Sequence, residues 1–153
     1  MKSVSLQTRL YSGQGSLDVL KRFTNKHIWI ICDGFLARSH LIEKLRNALP
    51  ADNRISIFSD ITPDPTIGTV VQGIAQMQSL RPDVVMGFGG GSALDAAKAI
   101  VWFSRQFGIE IETCVAIPTT SGTGSEVTSA CVISDPDKGI KYPLFNNALY
   151  PDM

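Results

Sequence analysis

Gly87-Phe-Gly-Gly-Gly-Ser-Ala-Leu-Asp-Ala-Ala-Lys98 is the stretch whose reading decides the fold. The apolar run Val84-Val-Met86 before it reads as a buried strand, and the alanine-rich segment after it reads as a helix. Glycines at such a junction let the backbone turn tightly and approach a ligand, and the first free N–H groups of the helix then face an anion. The turn is therefore a candidate phosphate cradle. It departs from G-x-G-x-x-G at the last glycine, which is Ser92, and it lacks the Gly-Lys-Ser/Thr of a P-loop. Ser92 followed by Asp95 also fits a variant capping box, which would make the turn purely structural.

Working outward, apolar strand-like runs at residues 27–32, 54–58, 83–88 and 113–117 alternate with helix-period segments at 36–49, 66–80 and 92–107. This β-α-β-α-β-α-β order predicts an α/β fold, a Rossmann-like parallel sheet flanked by helices on both faces. Beyond Val127 the pattern changes to β-branched and small residues. A turn at 135–139 between runs 127–133 and 140–145 predicts a C-terminal β-hairpin. An early strand over 3–10 and a short helix over 17–23 complete the prediction.

A second motif, Pro118-Thr-Thr-Ser-Gly-Thr-Gly-Ser-Glu126, puts five hydroxyl groups right after the fourth strand, where an open α/β sheet keeps its ligand crevice. An ordinary surface loop would also explain its Gly and Ser. Asp33 ends the first strand. A carboxylate there can accept the adenosine ribose hydroxyls and repel a 2′-phosphate, selecting NAD over NADP; the alternative is an Asx turn with Gly34. In the cradle reading, a β-branched side chain at Gly91 would clash with the ligand rather than with the core.

The chain has 153 residues, 44% of them hydrophobic, which suits one domain over 1–153. Fourteen basic side chains balance fourteen acidic ones, so no global field favours nucleic acid or an anionic membrane. Cys32, Cys114 and Cys131 are odd in number and widely spaced, which fits free thiols in a reducing cytoplasm better than a disulfide framework. The chain has no long apolar run or signal-peptide pattern, so it is expected to be soluble and not secreted. His27 and His40 have no neighbouring ligands in sequence, so neither a metal site nor a catalytic residue is expected.

Gly-Gly-Gly-Ser-x-x-Asp-x-x-Lys together with Pro-Thr-Thr-x-Gly-Thr-Gly-Ser-Glu resembles the iron-containing (group III) alcohol dehydrogenases, relatives of lactaldehyde reductase, glycerol dehydrogenase and dehydroquinate synthase. The resemblance covers essentially all 153 residues as that family's N-terminal, NAD-binding domain. It implies that Asp33 binds the ribose, that Asp64 lies near the adenine, and that Gly90, Gly91 and Ser92 hold the pyrophosphate. Asp95 would lie toward the nicotinamide half, Thr119, Thr120 and Thr123 would line the cleft, and Val132 and Lys141 would cover the cofactor. Lys141 also reads as an ordinary solvated lysine.

Family members hold Fe(II) with one Asp and three His in a helical C-terminal domain, which is absent here, so these residues alone are expected to be inactive. Leu6-Gln-Thr-Arg-Leu-Tyr-Ser-Gly-Gln-Gly and Ile140-Lys-Tyr-Pro-Leu-Phe-Asn-Asn look most like the branch used in bacterial 1,2-propanediol utilisation. That implies propionaldehyde and its primary alcohol as substrates, a homo-oligomer, and a setting inside a bacterial microcompartment with its other proteins. The rivals are a glycerol or diol dehydrogenase domain and an inactive truncated nucleotide-binding or assembly module.

Overall fold

The computed structural model describes every residue except Lys2 and Val4. Four parallel strands, β1 (His27–Asp33), β2 (Arg54–Ile61), β3 (Val84–Gly89) and β4 (Thr113–Pro118), form one sheet in the order β2-β1-β3-β4. Helices α1 (His40–Ala48), α2 (Ile67–Leu80) and α3 (Gly91–Gln106) make the crossovers. β5 (Ala130–Asp135) and β6 (Ile140–Phe145) pair as an antiparallel hairpin. The α/β architecture with a C-terminal hairpin is the one predicted.

Both faces of the sheet are covered, which is why its strands read as continuous apolar runs rather than alternating ones. In β1, Trp29 and Ile31 pack on one side with Val85, Met77, Ala96, Ile100 and Ile133, under α2, α3 and the hairpin. Ile28, Ile30 and Cys32 face the other side with Met86, Val115, Ile42, Leu45 and Leu20. The hairpin is fixed to the body where the Ser134 amide donates to Pro65 O (2.9 Å), just before α2. All three cysteines are free and buried, and burial pushes the Cys114 and Cys131 thiols up to about 12.

Several boundaries differ from expectation. The predicted helix over 36–49 is split: Leu36–Arg38 is a single 3-10 turn, and Ser39 restarts the chain as the cap of α1, its hydroxyl accepting from Leu41 N (3.2 Å). The predicted helix over 17–23 is a 3-10 segment, Ser16–Arg22. Part of the predicted early strand lies outside the described residues, and residues 5–10 are not a strand. No described helix is long and apolar enough to cross a membrane.

Candidate functional site: the crevice at the carboxyl ends of β1 and β3

Strand order reverses between β1 and β3, since the chain leaves β1 toward β2 on one side and returns to β3 on the other. In an open α/β sheet this switch point is where ligands lodge. A groove of about 530 Å³ lies there. It is lined by Asp33, Phe35 and Leu36 at the end of β1, by Leu41 of α1, by Ile61, Thr62 and Pro63 at the end of the neighbouring β2, and at its floor by Gly90, Gly91, Ser92, Thr119 and Thr120.

The floor is the start of α3. Gly90 is the cap residue, in extended conformation, and no side chain caps the helix. The expected capping box is not formed: the helix begins one residue before Ser92, whose hydroxyl instead accepts the Asp64 amide at 3.3 Å. Two glycines make the turn possible. Gly89 has φ +147°, and a Cβ there would lie 2.9 Å from Ala93 Cβ. At Gly91 a Cβ would lie 2.8 Å from Thr123 Cγ2, so the space is already taken by the second motif. The expectation that a side chain at Gly91 would meet only ligand is thus corrected.

Asp33 makes the bond of its structural reading. Its Oδ1 accepts Leu36 N at 2.8 Å, an Asx-type bond reaching three residues on rather than to Gly34, and this holds the turn whose next residue, Phe35, is 78% exposed at the groove's lip. Among the described residues, no side-chain or backbone donor reaches the other carboxylate oxygen. Asp64, at φ +55°, pairs with Lys141 Nζ at 2.9 Å, so the lysine crosses from the hairpin to the rim next to Ser92. Both partners are mostly exposed, and such a pair adds little to stability.

Asp95 lies behind the floor instead of in it. Its Oδ1 accepts the Ser125 hydroxyl (2.6 Å) and its Oδ2 the Val132 amide (2.9 Å). Of the eleven residues singled out from the sequence, Asp33, Gly90, Gly91, Ser92, Thr119 and Thr120 line the groove. Asp64, Asp95, Thr123, Val132 and Lys141 lie outside the lining: Asp64 bonds Ser92 and Lys141, Asp95 bonds Val132, and Thr123 stands against Gly91.

The sequence reading missed Lys98, which is only 2% exposed. Its ammonium donates to Ser125 O (2.8 Å), Ser125 Oγ (3.2 Å), Thr128 Oγ1 (3.4 Å) and Ala130 O. Burial lowers its pKa, and the nearby Asp95 charge opposes that shift. The signal was present: Leu94, Lys98 and Val101 follow helical spacing on one face, so the lysine sits in an apolar stripe. Phe35 and the apolar wall of Ile61 and Pro63 were also not singled out.

A second groove, of about 590 Å³, runs between α2, α3 and the hairpin past Ile67, Val71, Ile74, Phe103, Phe107 and Leu144. It is almost wholly apolar and offers a dinucleotide neither N–H groups nor charge. The crevice fits an anionic ligand through its uncapped helix start, its hydroxyls and its glycine floor. The residues do not fit a metal: among those described, no three His, Cys, Asp or Glu converge. His27, for its part, bonds Leu80 O at 3.2 Å and Ser56 Oγ at 2.8 Å.

A 1-propanol dehydrogenase, PduQ, of Citrobacter freundii is 95% identical over all 153 residues, and the PduQ of Salmonella typhimurium is 87% identical; the chain spans 41% of the length of each. In fold, the chain matches an iron-containing alcohol dehydrogenase of Thermococcus thioreducens with a TM-score of 0.85 over 98% of this chain and 45% of that one, at 23% identity. It also matches a sulfoacetaldehyde reductase of Bifidobacterium kashiwanohense in complex with NAD⁺ (TM-score 0.81, 24% identity, 99% and 44% covered). The family profile described as iron-containing alcohol dehydrogenase spans residues 7–153, and with these relatives it establishes that the chain belongs to that family.

Proposed function

We propose that residues 1–153 are the NAD(H)-binding domain of an iron-dependent alcohol dehydrogenase that interconverts a short-chain aldehyde, propionaldehyde first, and its primary alcohol. The observation that carries the binding assignment is the uncapped start of α3 at the switch point, where N–H groups open onto a groove ending at Asp33. A pyrophosphate at Gly90, Gly91 and Ser92 takes the place of the missing cap and meets the positive end of the helix dipole. Asp33 accepts from the ribose, and its charge disfavours a 2′-phosphate. The adenine lies toward Asp64 at the outer end, Thr119, Thr120 and Thr123 line the cleft, Asp95 stands behind its floor toward the nicotinamide half, and Val132 and Lys141 cover the cofactor.

The substrate assignment rests on the two near-identical propanol dehydrogenases. Bound NAD(H) would supply or accept hydride at the nicotinamide ring. No step is assigned to iron within these residues, because no ligand set converges in them. The same reading places the enzyme in the cytoplasm within a propanediol-utilisation microcompartment, as a homo-oligomer. The large apolar groove between α2, α3 and the hairpin supports a covered face in that assembly.

Calorimetric titration of the chain with NADH and NADPH tests the binding assignment. Saturable 1:1 binding with NADH preferred is expected; equal affinity for the two would overturn the role of Asp33, and no binding of either would overturn the domain assignment.

A further inference from the structure

We infer that Lys98 and Ser125 are positioning residues: through the relay Lys98–Ser125–Asp95 they set the place of the two segments that flank the start of α3, and so the affinity for the nucleotide. This rests on the nucleotide-binding reading above and adds to it a part that touches no ligand.

The relay is built from four polar links. Lys98 Nζ donates to Ser125 Oγ, which donates to Asp95 Oδ1, while Asp95 Oδ2 accepts the Val132 amide. Ser125 is itself buried, and its amide donates to Thr123 Oγ1 at 3.3 Å. Thr123 stands where a Gly91 side chain would be, against the first turn of α3. One arm of the relay therefore ends on the helix start. The other ends on β5, whose hairpin partner carries Lys141, and Lys141 returns through Asp64 to Ser92. These contacts tie together the two flanks of the start of α3, with Lys98 and Asp95, one turn apart on that helix, as their posts.

A buried ammonium needs close acceptors to offset its desolvation, and Lys98 finds them only while residues 125–130 lie on α3. Its charge and that of Asp95 are balanced through one hydroxyl. Removing that hydroxyl leaves both charges in place and breaks the link between them. The Thr123 arm and the hairpin arm then lose their common reference.

The test uses Ser125→Ala, Lys98→Met and the double variant, each followed by NADH titration, thermal melting and hydrogen exchange at the Val132 amide. Each single change should weaken NADH on the order of tenfold, and the double should be no weaker than the worse single, since residues of one network are not additive. Val132 exchange should quicken in Ser125→Ala although the melting point falls little. Unchanged Val132 exchange would overturn the relay. Faster exchange with unchanged NADH affinity would overturn its influence on binding, and additive losses would reduce the two residues to separate packing contacts. If the unaltered chain bound no NADH, the nucleotide reading would fall, and Val132 exchange would still decide whether the relay holds the hairpin.

Discussion

The helices α1 and α2 start differently from α3. Ser39 caps α1 by accepting Leu41 N, and Thr66 caps α2 by accepting Thr69 N at 3.1 Å, so each of these helices closes one of its orphan donors with its own chain. α3, which is longer and mostly buried, starts at a glycine with no side-chain cap. A Ser or Thr cap is worth about 1 kcal/mol. Leaving it out at the helix whose first turn floors the switch-point groove marks a place where the partner of the N–H groups is expected to come from outside the fold. The first two termini serve stability, and the third is proposed to serve binding.

The comparison breaks hardest at Gly91. Gly91→Val forces a β-branched side chain into the Thr123 methyl, displacing the second motif and covering the helix start. Losing two charge-assisted bonds to the pyrophosphate, about 1.5 kcal/mol each, weakens NADH roughly a hundredfold. Crowding against Thr123 should also cost about 1–3 kcal/mol of stability. Titration and melting of one preparation read both; a variant that melts early yet binds normally would show the turn to be structural only.

Asp33→Gly sharpens the comparison at the other end of the groove. It should weaken NADH by about 1.5–3 kcal/mol, narrow the gap to NADPH, and also destabilise the fold because Leu36 N loses its acceptor. Ser39→Ala and Thr66→Ala should act on stability alone. Each is expected to lower the melting point by about 2–4 °C while NADH affinity stays unchanged.

The smallest effect belongs to His27, far from the crevice at the start of β1. Its Nδ1 must donate to Leu80 O, so the neutral ring accepts from Ser56 at Nε2. Burial, with the Arg54 charge second, lowers its pKa below the usual histidine value. The unfolded chain therefore binds the proton more readily than the native one. The stability His27 contributes is full above about pH 6.5 and is lost as pH falls through the lower native value. Urea midpoints from pH 7.5 to 5.5 should fall, and His27→Gln should flatten that slope.

The order of strands and helices was legible because a sheet buried on both faces writes each strand as an unbroken apolar run, while Gly, Pro and Asp mark the junctions. Boundaries were less so. Ser39 inside a helical stripe caps a new helix, and only the 3-10 turn before it reveals why. Ser92 looked like a cap because a hydroxyl followed by an acid fits one; in space the helix starts at Gly90 and Asp95 turns to Ser125 and Val132. The groove's own residues sit at strand ends, where local sequence and topology agree. Lys98 depends on a segment some thirty residues away, and its place in an apolar stripe was the one local sign of it.

Amide chemical shifts followed during NADH titration test the central claim most directly. The account predicts saturable shifts at Gly90, Gly91 and Ser92, with the Thr69 amide at the capped start of α2 unmoved. Shifts confined to residues 67–78 of the apolar groove, or none at the start of α3 at saturating NADH, would contradict it.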